Sequence, residues 1–125
     1  MNSYDILCID DEQIVLDLLE AVLRGEGWQS RLYLSGQDAL AAMRQKKPSL
    51  VLLDMMMPGM DGFAVLKEIK QDAQLKDLNV VFLTASADPE SVAKYIQMGA
   101  AGVVSKPIAA EDLPYQLSLF LKRSA

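Results

Sequence analysis

A doubly wound α/β sheet is the fold class this sequence predicts, and three observations carry the expectation. Short apolar runs recur five times along the chain, each long enough for a strand and each followed by residues at helical spacing. Most of these runs are apolar without alternation, as strands covered on both faces must be. Two of them end in aspartate, at Asp10 and Asp54, so the acids gather at the ends of the runs and not along them.

The first run, Ile6 to Ile9, closes on Asp10, Asp11 and Glu12 and reads as a buried strand that delivers acids to its carboxyl end. From Gln13 the period changes: Ile14, Val15, Leu18, Leu19, Val22 and Leu23 fall on one helical face up to Arg24, and Gly25 and Gly27 punctuate the end. Arg31 to Leu34 is the second strand. Ser35 caps a helix through Ala39, Leu40 and Met43, which is over before Pro48. The third strand, Leu50 to Leu53, is the most apolar of the set and ends in Asp54.

Pro58, Gly59, Asp61 and Gly62 then make a loop before the helix of Phe63, Val65, Leu66 and Ile69, with Asp61 and Gly62 serving the turn and the cap. Asn79 to Leu83 is the fourth strand and ends at Thr84. Asp88 followed by Pro89 starts a helix that Gly99 stops. Gly102 to Ser105 is the fifth strand, and Lys106-Pro107 leads to a last helix from about Glu111 to Lys122. Five strand-then-helix units call for a parallel sheet with helices on both faces. Right-handed crossovers favour the flavodoxin-like order 2-1-3-4-5, with strands 1 and 3 adjacent.

A chain of 125 residues, 51% of them hydrophobic, matches one domain spanning residues 1–125. No apolar stretch approaches the roughly 20 residues that a membrane helix needs. The start, with Asn2, Ser3 and Asp5, lacks the basic residues of a signal peptide, so a cytoplasmic location is expected. A net charge of -5 disfavours nucleic acid and acidic membranes as direct partners. With one cysteine, Cys8, and no histidine, neither a disulfide framework nor a soft-metal site is available. Cys8 reads as a small buried residue, and Met55 to Met57 read as packing and loop filling.

In such sheets ligands sit beyond the carboxyl ends of the strands, where the winding direction switches. Asp10, Asp11 and Asp54 should converge there, with Thr84 and Lys106 arriving from strands 4 and 5. Crowded carboxylates repel, so they take up a proton or share a cation. A hard divalent ion, Mg2+ or Mn2+, suits that set of oxygen donors. A carboxylate can also attack phosphorus, with the ammonium of Lys106 and the hydroxyl of Thr84 receiving charge on the phosphoryl oxygens. Backbone amides of the Met55 to Gly59 loop could hold the rest.

These residues resemble the response-regulator receiver family of two-component signalling, chemotaxis regulators included, over essentially the whole chain. The resemblance rests on Asp10-Asp11, on Leu52 to Gly62 around Asp54, on Leu83-Thr84-Ala85, on Met98-Gly99-Ala100 and on Lys106-Pro107. It implies Asp54 as phosphoacceptor, Asp11 as a direct metal ligand, Asp10 as a ligand acting largely through water, and Met56 as a donor of its backbone carbonyl. It implies Thr84 and Lys106 as phosphoryl contacts and a Lys106-Pro107 bond that is often cis. The implied partners are a sensor histidine kinase or histidine phosphotransfer protein as donor and a downstream protein or effector domain as target, with a phosphorylation-dependent dimer as a further option. One position departs: three residues before the lysine, where the family usually carries an aromatic, stands Val103. Coupling from Thr84 to the face of helix 4, strand 5 and helix 5 must then rely on backbone and loop movement, for which Tyr95 is the candidate companion.

Two other classes compete. A phosphohydrolase of the haloacid-dehalogenase type would carry a second aspartate two residues after the nucleophile, where this chain has Met56. A pseudo-receiver that binds partners without phosphorylation would have no physical need for clustered acids. Taken alone, an aspartate at a strand end is usually a cap or a solvated loop acid, and Thr84 or Lys106 alone is a strand or surface residue. Only their convergence gives them a shared role.

Overall fold

The computed structural model describes residues 4–123, so the reading of Asn2 and Ser3 lies outside the described residues. Strand and helix alternate throughout: β1 Asp5–Ile9, α1 Gln13–Gly25, β2 Gln29–Tyr33, α2 Gly36–Gln45, β3 Leu50–Asp54, α3 Gly62–Gln71, β4 Val80–Thr84, α4 Pro89–Gln97, β5 Gly102–Ser105 and α5 Leu113–Arg123. The strands form one sheet in the order β2-β1-β3-β4-β5, and all four pairings are parallel. This is the order expected from right-handed crossovers.

Side-chain alternation along each strand divides the interior into two layers. Leu7, Ile9, Val51, Leu53, Val80 and Phe82 face one side, where α2, α3 and α4 supply Leu40, Met43, Val65, Leu66, Ile69 and Tyr95. Ile6, Cys8, Leu50, Leu52, Val81 and Leu83 face the other, against Leu16, Leu19 and Leu23 of α1 and Leu113, Leu117 and Leu121 of α5. Cys8 is fully buried, and loss of solvent, aided by the negative charges of Asp10 and Asp5, pushes its thiol far above the usual range. The thiol is therefore packing, not a nucleophile.

The helix starts follow the capping residues. Ser35, Asp61 and Asp88 each accept a hydrogen bond from the backbone N–H three residues on, and Pro89 occupies the first turn of α4, where a missing N–H costs nothing. Gly99 follows α4 at φ 113°, a backbone region that residues with a Cβ rarely adopt.

Several boundaries differ from the sequence expectation by a residue or two, and those of β2, β4 and α5 are instructive. Strand β2 runs from Gln29 to Tyr33, two residues earlier at its start than Arg31 and one earlier at its end than Leu34. As an edge strand it is only half-buried, so hydrophobicity does not mark it; pairing fixes it, through Asp5 opposite Gln29 and Ile9 opposite Tyr33. Strand β4 starts at Val80, although the Asn79 carbonyl already accepts from the Val51 N–H; the Asn79 side chain donates from Nδ2 to the Phe120 carbonyl. Helix α5 starts at Leu113, after a turn in which Leu113 N–H donates to the Ala109 carbonyl. Tyr95 is 7% exposed and belongs to the core, whereas Tyr115 is 70% exposed.

Candidate functional site

Parallel strands carry all their carboxyl ends to one edge, and the chain leaves β1, β3, β4 and β5 there through Asp10, Asp54, Thr84 and Lys106 in turn. Asp10 is fully buried just past β1, its N–H donating to the Tyr33 carbonyl. Its Oδ1 accepts from the N–H of Glu12 at 2.9 Å, which turns the chain sharply into α1. Its Oδ2 accepts from Lys106 Nζ, also at 2.9 Å. Asp54 ends β3 and is 4% exposed; its Oδ1 accepts from the N–H of Met56 at 3.2 Å and lies 3.2 Å from the same Lys106 Nζ. One ammonium therefore bridges two buried carboxylates from adjacent strands, 96 and 52 residues away in sequence.

Thr84 ends β4, and its Oγ1 accepts from the N–H of Ser86 at 3.0 Å. The Thr84 carbonyl accepts from Lys106 N–H at 2.8 Å, which anchors the lysine backbone at the sheet edge. The Lys106-Pro107 peptide bond is cis. Thr84, Lys106, Asp54 and Met56 line a single depression together with Glu12. Asp11 is exposed and stands beside this depression, with its carboxylate next to those of Asp10 and Glu12: one oxygen of each lies within 4.8 Å of the others. Met56 offers its N–H to Asp54 while its side chain is 80% exposed; Met55 and Met57 on either side are buried. Packing therefore explains two of the three methionines.

Glu12 is the residue that sequence reasoning left out. It appears there only as the third member of an acidic run, and helix periodicity begins immediately after it. The available signal was the run itself, since the first residues past a buried strand all stay near its carboxyl end.

The electrostatics follow from the burial. Desolvation pushes the Asp54 carboxyl up to about 6; the Met56 N–H opposes that, the charge of Asp10 adds to it, and Lys106 offsets part of it. For Lys106 burial disfavours the ammonium, but its contacts with Asp10 and then Asp54 outweigh that and hold its pKa above the usual lysine range. A single ammonium thus serves Asp10 and Asp54, while the carboxylates of Asp11 and Glu12 stand next to that of Asp10. The remaining negative charge and the all-oxygen donor set, with no imidazole or thiolate in reach, fit a hard divalent cation and not a soft one.

Helix α3 begins directly behind this edge. Gly62 N–H donates to the Met55 carbonyl at 3.1 Å, and a Cβ at Gly62 would stand 2.6 Å from the carbonyl oxygen of Asp54 and 2.9 Å from Met55 Cα. Glycine is required here by proximity and not by an unusual backbone angle.

Comparison with known proteins agrees with this architecture. The response regulator receiver domain family matches residues 6–118. The chain is 36% identical over 95% of its length to the DNA-binding response regulator MtrA of Mycolicibacterium smegmatis, and covers 51% of that protein. It is 32% identical over 98% of its length to the transcriptional regulatory protein GltR of Pseudomonas aeruginosa, again covering 51% of the relative. The chain thus spans about half the length of these curated relatives. Among solved structures, NtrX of Brucella abortus superposes with a TM-score of 0.88 at 34% identity, over 98% of this chain and 28% of that one. Chemotaxis protein CheY4 of Vibrio cholerae superposes with a TM-score of 0.87 at 25% identity, over 94% of this chain and 98% of that one. On the match over residues 6–118 and the shared sheet order, the chain belongs to the response regulator receiver domain family, the receiving module of two-component signalling.

Proposed function

We propose that Asp54 accepts a phosphoryl group from a phosphohistidine on a sensor histidine kinase or histidine phosphotransfer protein, and that the modified domain changes its interactions with a downstream target. The observation that carries this reading is the Lys106 ammonium, 2.9 Å from Asp10 Oδ2 and 3.2 Å from Asp54 Oδ1. With Oδ1 of Asp54 also engaged by the Met56 N–H, we assign Oδ2 as the attacking oxygen. A bond forms between that oxygen and phosphorus while the phosphorus–nitrogen bond to the donor imidazole breaks, its electron pair returning to the ring. Lys106 then offsets charge on one phosphoryl oxygen and the Thr84 hydroxyl donates to another. Asp10, Asp11 and Asp54, with the Met56 carbonyl, would hold Mg2+, and Glu12 stands close enough to join them directly or through water. The ion supplies charge neutralisation for the phosphoryl oxygens and the carboxylates.

A receiver is a signalling domain and not an enzyme that turns over a pool of substrate. Its target would be either an effector domain in the same polypeptide, as the double length of the DNA-binding relatives suggests, or a separate protein, and a phosphorylation-dependent dimer is a further option. A net charge of -5 argues against direct nucleic-acid contact by this domain. No described helix is long and apolar enough to cross a membrane, and the proposed site of action is cytoplasmic. Incubation with Mg2+ and acetyl phosphate should add one phosphoryl mass to the intact protein, and Asp54→Asn or removal of Mg2+ should prevent it. An increment that persists in Asp54→Asn would refute the assignment.

A further inference from the structure

Val103 leaves the inner face of β5 without a ring, yet that region of the core is aromatic. In the sheet Val103 pairs directly with Phe82, and it packs against the cluster to which Phe82 belongs. The ring that meets Phe82 comes from α4: Tyr95 has its centroid 5.5 Å from that of Phe82 and 6.0 Å from that of Phe63, and is 7% exposed. Phe82 lies two residues before Thr84 on the same strand, so both side chains point to the Tyr95 side of the sheet.

The hydroxyl of this tyrosine is not spent on solvent. It donates to the Ser86 carbonyl at 3.3 Å, and the N–H of the same Ser86 donates to Thr84 Oγ1 at 3.0 Å. Two hydrogen bonds through one residue therefore join α4 to the hydroxyl at the sheet edge. The outer one is long for an O–H···O bond, whose usual range ends near ~3.0 Å. A small displacement of Ser86 is enough to break it.

We propose that Tyr95 is a positioning residue: through Ser86 its hydroxyl holds Thr84 in the unphosphorylated arrangement, and α4 is released when Thr84 moves. The inference rests on Asp54 as phosphoacceptor. A phosphoryl group on Asp54 draws the Thr84 hydroxyl toward itself by a charge-assisted bond. Ser86, tied to Thr84 Oγ1, follows, and its carbonyl leaves the Tyr95 hydroxyl. The switching ring thus sits on the helix that must move and not on β5. Because the coupling is reciprocal, removing the Tyr95 hydroxyl should also favour phosphorylation.

The test is Tyr95→Phe, which keeps the ring contacts and removes only the donor, with Ile96→Ala, a 46% exposed neighbour on α4, as the control. Amide chemical shifts of residues 86–97 would be recorded with and without saturating Mg2+ and acetyl phosphate, alongside intact mass. In unphosphorylated Tyr95→Phe these amides should lie on the line from the wild-type unphosphorylated to the wild-type phosphorylated positions, and the ratio of phosphorylated to unmodified Asp54 at sub-saturating acetyl phosphate should rise about fivefold. Ile96→Ala should stay at the wild-type end. Wild-type phosphorylation combined with Tyr95→Phe shifts off that line, or with an unchanged ratio of phosphorylated to unmodified protein, overturns the role of Tyr95 alone. Wild-type protein that takes no phosphoryl mass overturns the Asp54 reading and this inference with it.

Discussion

The two ends of β1 each carry a buried or half-buried aspartate in contact with a cation, and they are built to opposite accounts of charge. At the amino end Asp5 faces Arg31 of β2: Nε donates to Oδ1 at 3.2 Å, and Nη2 lies 3.0 Å from Oδ2 while donating to the Lys46 carbonyl at 2.8 Å. The Asp5 N–H also donates to Ser49 Oγ. One acid meets one base, and the pair staples β1, β2 and the α2–β3 turn. At the carboxyl end Lys106 is the only cation touching Asp10 and Asp54 among the described residues, and Asp11 and Glu12 crowd beside them. The balanced end is structural. The unbalanced end stores a demand for positive charge, and that surplus separates a site from a strut.

This contrast can be broken or sharpened by experiment, beginning where the effect should be largest. Lys106→Met should slow phosphoryl incorporation from acetyl phosphate by about 100-fold, the scale of losing one preorganised charge donor. Arg31→Met should leave that rate unchanged and lower stability by about 1 kcal/mol, since its partner is partly solvated. Equal kinetic effects of the two substitutions, measured by stopped reactions and intact mass, would erase the distinction between the ends.

Next in size is a stability effect of opposite sign at the acidic end. The Asp54 carboxyl, raised by burial from 3.8 to about 6, binds its proton more tightly in the folded protein than in the unfolded chain. Its contribution to stability is therefore full below about pH 4 and is lost as pH rises through about 6. Asp54→Asn should stabilise the metal-free protein by about 1–3 kcal/mol at pH 7.5 and by almost nothing at pH 4, with Mg2+ closing the gap at neutral pH. Urea unfolding in chelator at the two pH values measures this, and a pH-independent difference would contradict it. The smallest effect is reserved for Glu12→Gln. It should weaken Mg2+ binding about threefold in calorimetric titration while phosphorylation at saturating Mg2+ stays as in wild type, because an exposed charge is heavily screened.

How far the sequence went toward this picture differs between the same two ends. Strand identity, order and the convergence of Asp10, Asp54, Thr84 and Lys106 were legible, because burial on both faces writes itself as apolar runs and parallel topology does the rest. Helix caps at Ser35, Asp61 and Asp88 were legible for a local reason: each cap residue bonds to a backbone only three positions on. The amino-end pair of Asp5 and Arg31 was not, since it depends on the register of a half-buried edge strand that apolarity does not fix. Glu12 stayed hidden because acids after a strand are ordinary; Tyr95 was legible as a companion of Thr84, but its route through Ser86 was not, because no spacing in the sequence announces a hydroxyl meeting a carbonyl across a helix boundary. What hydrophobic pattern specifies can be read directly; what hydrogen-bond geometry specifies needs coordinates.

The close seat of Gly62 has a mechanical meaning. With room for a hydrogen and nothing larger between the first turn of α3 and the carbonyl of residue 54, no cushion separates that helix from the main chain of Asp54. The aspartate therefore has a hard floor: it can be pulled outward toward an incoming electrophile but cannot sink inward to escape it. On the proposal that Asp54 is the phosphoacceptor, such a floor would hold it at the same height above the sheet whether the domain is idle or engaged, and would leave the motion of signalling to β4 and its neighbours.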